Sequence, residues 1–219
     1  MTDRQIKILL LVIPLTLAGM FVFDRMTSTN PSKRGEFGTM ATEGTNRTKE
    51  KNKTGEKMAT KEITRKETIE ILSGIYTAEI GVKELTGKND GARVEEYLAS
   101  CGLGKGYAWC AAFVNWCHVR AGVEGAKSAY SPNWFPKEHT IYTQGGKENA
   151  TPSKCDVFGL YYADKKRIAH VGFIDEYSDV GDYCITVEGN TNNDGSREGD
   201  GVYRKRRLKN QIYRVSRWV

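Results

Sequence analysis

Cys110 opens the apolar run CAAFVNWC, with Ala111 and Ala112 directly behind it and Phe113, Val114 and Trp116 further on. A thiol at a helix N-terminus has its pKa lowered, and the thiolate is the reactive form. Packing is the competing explanation, because free cysteines are among the most buried residue types. A cysteine nucleophile needs a base, usually histidine, and a third group that orients the imidazole. The chain has three histidines. His118 lies two turns down the same helix, about 12 Å along its axis at 1.5 Å per residue, and is out of reach. His139 falls in an irregular region, and spacing alone leaves it open. His170 lies in RIAHVGFID, early in a strand, with Gly172 beside it on the same face. A glycine there leaves room over the imidazole or admits another backbone.

The following strand offers the third group. In CITVEGNTN, alternation places Thr186, Glu188 and Asn190 on one face and Ile185 and Val187 on the other, provided the strand continues through Gly189. A carboxylate can accept from one imidazole nitrogen and leave the other to take the thiol proton. Asparagine fills that role in some cysteine enzymes. Taken singly, each residue is ordinary: a helix-start cysteine, a strand histidine and a Glu before a Gly-Asn turn are more often structural. The order of cysteine on a helix, histidine on one strand, and Glu and Asn on the next is far more specific than its members. Tyr107, Trp109 and Trp134 are the aromatics available to line a groove for a glycan or peptide, whereas Phe113 and Trp116 read as core. Cys117 reads as core, Cys184 as packed, and Cys101 and Cys155 have no evident chemical partner.

These residues need elements to hold them. Apolar residues at helical spacing predict a helix over 67–87, with Gly74 and Gly81 as weak points, a short helix over 94–99 and a third over 108–121 closed by Gly122. Residues 123–152 are irregular. After Cys155 the period changes to two, predicting strands at 156–162, 168–175, 183–188, 201–207 and 212–217, separated by Gly, Asp and Asn turns. Helices first and strands afterwards make an α+β domain, with N-terminal helices packed on a C-terminal antiparallel sheet. The basic run YRKRR at 203–207 reads as charge protecting an edge strand, with no ligand assigned.

The 219-residue chain divides unevenly. Residues 1–23 hold an apolar run preceded by Arg4 and Lys7, long enough to span a bilayer as an uncleaved anchor or to serve as a signal peptide. Residues 24–66 are charged, Thr-rich and poor in large apolar side chains, the composition of a disordered basic tether. Residues 67–219 carry all four tryptophans, all five cysteines, and twenty basic against twenty acidic side chains. The net charge of +6 therefore resides outside the folded domain, which argues against a nucleic-acid partner. The cysteines contain no C-x-x-C pair, and GLGKGY lacks the ending of a phosphate loop. Asp194, Glu198 and Asp200 lack calcium-loop spacing, so residues 192–201 read as a turn. No metal or cofactor is expected.

The motifs WCAAFVNWC, AHVGFI and TVEGNTN, in that order, resemble the CHAP domain (cysteine, histidine-dependent amidohydrolase/peptidase) of the papain-like and NlpC-type cell-wall hydrolases, over roughly residues 75–219. The resemblance implies a papain-like core and cleavage of peptidoglycan amide bonds, as an N-acetylmuramoyl-L-alanine amidase or a peptide endopeptidase. It implies Cys110 as nucleophile, His170 as base, Glu188 as orienting group and Asn190 as an auxiliary polar group. Papain's oxyanion-donating Gln corresponds to Gly104 here, so the Cys110 N–H is the donor that remains, with Tyr107 or Asn190 as candidates for a second. The partners expected are peptidoglycan and, through residues 1–23, a membrane. The location expected is the cell envelope, inner-membrane anchored with the catalytic domain outside the cytoplasm, or secreted. Two alternatives stand beside this: a non-catalytic wall-binding module on the same fold, and a protease or toxin acting on proteins.

Overall fold

A computed structural model describes residues 63–146, 149–194 and 199–219. The expected anchor at 1–23 and the expected tether as far as residue 62 lie outside the described residues; the end of the tether is corrected, since Thr64 caps a helix that Arg65 and Lys66 begin. Among the described residues no helix is long and apolar enough to cross a membrane.

Helix α1 spans Arg65–Ala78 and begins with a capping box, in which Thr64 accepts from the Glu67 N–H while the Glu67 carboxylate accepts from the Thr64 N–H. It buries Leu72 and Tyr76, and Tyr76 stacks on Phe173 with ring centroids 4.7 Å apart. The expected helix over 67–87 is thus corrected: it stops at Ala78. The chain beyond turns at Gly81, whose φ of 97° is open to glycine, and crosses to another element. Gly81 N–H donates to Val202 O, and Val202 N–H to Val82 O. Backbone pairing with a distant strand outcompetes continuation of the helix. Helix α2 covers Ala92–Ala99, and α3 covers Cys110–Ala121 and ends at the left-handed Gly122. Every residue of α3 from Cys110 to His118 is buried, the expected fate of a helix apolar on nearly all sides.

The strands are β1 (Thr140–Thr143), β2 (Val157–Tyr162), β3 (Arg167–Glu176), β4 (Tyr183–Thr191), β5 (Gly201–Leu208) and β6 (Arg214–Ser216). They form one antiparallel sheet in the order β1-β6-β2-β3-β4-β5. The α+β architecture expected from the sequence is present, as helices on an antiparallel sheet. The strand β1 and the 3₁₀ turn Ser131–Trp134 arise inside the segment expected to be irregular. Neither carries a period of its own; β1 is held at the sheet's edge by β6.

Alternation sorts the sheet into two faces. Val157, Val171, Phe173 and Val187 pack in the cluster that contains the helices. Phe158, Leu160, Ile174, Cys184 and Val215 form a second, smaller cluster. Strands β3 and β4 pair only at Phe173↔Val187, Ile174↔Thr186 and Glu176↔Ile185. Beyond Phe173, towards its own start, β3 runs with β2; beyond Val187, β4 runs on with β5. The first turn of α3 enters the resulting split. A side chain at Gly189 would lie 2.7 Å from Trp109 Cζ3 and 2.8 Å from Phe113 Cβ, so only glycine lets the helix in this closely.

Candidate active site

Cys110 is the first residue of α3, His170 lies on β3 and Glu188 on β4, and the split in the sheet brings the three together. His170 Nε2 lies 2.9 Å from Glu188 Oε2, which leaves Nδ1 for the thiol. Burial pushes the Cys110 thiol up, but the hydrogen bond and charge of His170 outweigh it and bring the group down to about 7. The Ser131 hydroxyl and the Val171 N–H also favour the thiolate. On its partner, burial pulls His170 down, while hydrogen bonds and charges from Cys110 and Glu188 raise it to about 9. The two shifts act in the same sense, each group favouring the charged form of the other. Cys110 is buried like a packed cysteine, but it alone among the five has its thiol drawn down, by a histidine at hydrogen-bond distance.

Gly172 explains part of the fit. A Cβ there would lie 2.9 Å from Glu188 Cγ, Phe158 Cε1 and Val187 O. The glycine beside His170 on β3 therefore makes room for the carboxylate that orients the imidazole, as well as for the backbone of β4.

Glu188 is fully buried and more heavily bound than the sequence reading anticipated. Arg207 grips it with two prongs, Nε to Oε1 at 2.6 Å and Nη2 to Oε2 at 2.5 Å, and Thr186 Oγ1 donates to Oε1 at 2.5 Å. Burial works against its charge, but His170 and Arg207 hold the carboxyl well below the usual carboxylate range. Arg207 is a site residue that the sequence reading missed. Its position in YRKRR suggested edge protection, yet its side chain points inward across β4. The available signal was alternation on 201–208, which puts residues 203, 205 and 207 on one face. Ser131, with Oγ 3.6 Å from Cys110 Sγ, was missed as well, because nothing in SPNW marks it as chemical.

Asn190 stands differently from its expectation. Strand β4 does continue through Gly189, but a bulge separates Glu188 from Thr191 and Asn190 adopts φ 53°. Alternation fails there. The amide is aimed at the start of α3: Oδ1 accepts from the Trp109 N–H at 3.1 Å, and Nδ2 donates to Asn89 Oδ1 at 3.1 Å. Asn190 thus ties down the residue that precedes Cys110 while also lining the cleft that Cys110 and His170 enter.

Two expected substrate-binding aromatics are corrected. Trp109 and Trp134 are both fully buried. Trp109 Nε1 donates to Glu84 Oε1 at 2.8 Å and Trp134 Nε1 to Ser128 O at 3.0 Å, so each fills the core with its polar edge satisfied. Tyr107 is 57 % exposed, next to Ala108 at the lip of the cleft. His139 stacks on Trp218 and its Nδ1 pairs with Arg217 O, away from the site. His118 donates from Nδ1 to Val114 O inside the core. All five cysteines are free thiols. Among the described residues no cluster of His, Cys, Asp or Glu is arranged to hold a metal ion.

Cys110 and His170 form part of the floor of a cleft of about 600 Å³, walled by Leu160, Tyr161, Tyr162 and Tyr213. A cleft of that size accommodates a short peptide or glycopeptide segment. No protein-family model, no curated protein and no solved structure matches the chain. The case for function therefore rests on the geometry of this site.

Proposed function

We propose that the protein is a cysteine amidohydrolase of CHAP-like, papain-like type that cuts amide bonds in peptidoglycan. The observation that carries this reading is the chain Cys110–His170–Glu188 on the floor of an open cleft, with the thiol drawn down to about 7. A wall-binding module has no use for such a pair. The Cys110 thiolate attacks the carbonyl carbon, and the Nδ1 proton of the His170 imidazolium passes to the leaving amine, giving an acyl-enzyme. Neutral His170 then takes a proton from water, which attacks the thioester and releases the acid and the thiol. The Cys110 N–H, at the start of α3, is the backbone donor offered to the developing oxyanion. Glu188 keeps the tautomer and stabilises the imidazolium.

The proposed setting is the cell envelope, with residues 1–23 as anchor or signal and the catalytic domain outside the cytoplasm, where the substrate is. Full-length protein incubated with purified peptidoglycan, with fragments read by mass spectrometry, tests the reading. New amine ends identify the bond cut and separate amidase from endopeptidase. Digestion of unfolded protein with intact wall left uncut would hand the function to the protease alternative.

A further inference from the structure

The run YRKRR resolves into two sets of cations with different surroundings. On the outer face of β5, Arg204 pairs with Asp175 at 2.9 Å and with Glu176, and Arg206 stacks over the Tyr183 ring at 3.7 Å. On the inner face, Lys205 and Arg207 line the cleft. A third cation, Lys165, reaches the cleft from the β2–β3 turn, with its ammonium 5.9 Å from the Tyr162 ring centroid. Among the described residues the cleft lining contains no Asp or Glu. Edge protection explains the outer pair and leaves the inner charges unexplained.

The charges beneath the cleft cancel. Thiolate and imidazolium offset each other, and Glu188 is matched by the bidentate Arg207. Among the described residues that line the cleft, the charges left over are those of Lys165 and Lys205. Lys205 Nζ is held by Thr191 Oγ1 at 3.3 Å and by Asn192 O, acceptors that fix its position without neutralising it. Glu188 attracts it from below but is already saturated, and burial works against its ammonium. Two like charges lining one cleft, in a domain with equal numbers of acids and bases, favour an anion there.

We propose that Lys165 and Lys205 form a carboxylate subsite, which selects amide substrates with a free carboxylate close to the scissile bond. This deepens the hydrolase reading and rests on it for the identity of the substrate. Phosphate-bearing wall polymers are the less fitting occupant: the subsite offers two separated point charges beside a nucleophile, not a fork or a nest of N–H groups.

The test uses full-length Cys110→Ser protein and calorimetry with two probes. One is N-acetyl-L-Ala-γ-D-Glu-L-Lys-D-Ala-D-Ala, and the other is the same peptide with every carboxylate converted to a carboxamide. The acid should bind about tenfold or more tightly than the amide, one charge-assisted contact's worth. Lys165→Gln and Lys205→Gln should each weaken binding of the acid and leave the amide unchanged. Lys205→Arg should retain the preference, and Arg206→Gln, on the opposite face, should not alter it. Equal affinities, no binding of either probe, or a preference that survives both Gln variants would overturn the subsite. If the native enzyme cuts neither probe nor wall while the acid preference holds, the hydrolase reading fails and the subsite stands. Wall cleavage with no carboxylate preference gives the reverse.

Discussion

Cys110 and Cys117 lie two turns apart on α3, both buried, and each has a histidine in its neighbourhood of the fold, yet they behave oppositely. Burial and the charge of Glu79 push the Cys117 thiol well up. Burial likewise pulls His118 down to about 4, with only Val114 O as partner and Nε2 unpaired. Cys110 and His170 are desolvated as thoroughly, but each faces the group that its charged form prefers. The difference shows that desolvation alone makes inert, neutral side chains. Chemistry needs a partner brought by another element, and here the split between β3 and β4 brings it.

The sharpest way to break this comparison is to exchange the thiols. Cys110→Ser should lower hydrolysis of peptidoglycan by about 1000-fold or more, since a serine hydroxyl is far less acidic and the pair is built for a thiolate. Its melting temperature should stay near that of the native protein. Cys117→Ser should keep the rate and lose about 1–3 kcal/mol of stability through a buried hydroxyl, read by denaturant titration. A Cys110→Ser protein that clears wall at the native rate would end the nucleophile assignment.

Arg207 comes next. Arg207→Met leaves Glu188 buried without its main counter-charge and should cost about 3–5 kcal/mol. The double variant Arg207→Met/Glu188→Gln should recover most of that stability and remain slow, because the imidazolium has lost its carboxylate. Recovery of stability and rate together would show that Glu188 serves the fold alone.

The two histidines should give opposite pH limbs. His170 is raised, so its contribution is complete below about 6.5 and is lost as pH rises through about 9. His118 is depressed, so it is harmless above about 6.5 and destabilises progressively as pH falls towards 4, by an amount on the order of 3 kcal/mol. His118→Phe should flatten the acid limb of stability and leave the alkaline limb in place. The rate should rise as the thiol ionises near 7 and fall near 9 as the imidazolium loses its proton. An acid limb of stability unchanged by His118→Phe would contradict the account of the inert pair.

The smallest effect belongs to Asn190. Asn190→Ala removes the acceptor for the Trp109 N–H and should cost about 1–3 kcal/mol, with a modest fall in kcat from a loosened start of α3. A loss of 100-fold or more with no change in stability would instead mark its amide as an oxyanion donor.

The candidate trio Cys110, His170 and Glu188 was legible from residue type, spacing and the motif resemblance, and the structure places His170 against both of the others. A thiol at a helix start and alternation along two strands are local properties, written in the periods 3.6 and 2. Those same periods set the α3 helix and the strands that carry His170 and Glu188. Long-range pairing decided the rest. The helix expected to 87 ends at Ala78 because residues 81–84 bond to Asp200 and Val202, far along the chain. Asn190 left the expected face because a bulge reversed it, and Trp109 and Trp134 left the groove because the core had room for them. Arg207 joined Glu188 because antiparallel register sets Cys184 opposite Arg207 and Thr186 opposite Lys205, which turns the inner half of a basic strand onto the site. Sequence alone determined which groups could react. Tertiary structure alone decided which charges face one another, since a Coulomb energy depends on a distance that no local period specifies.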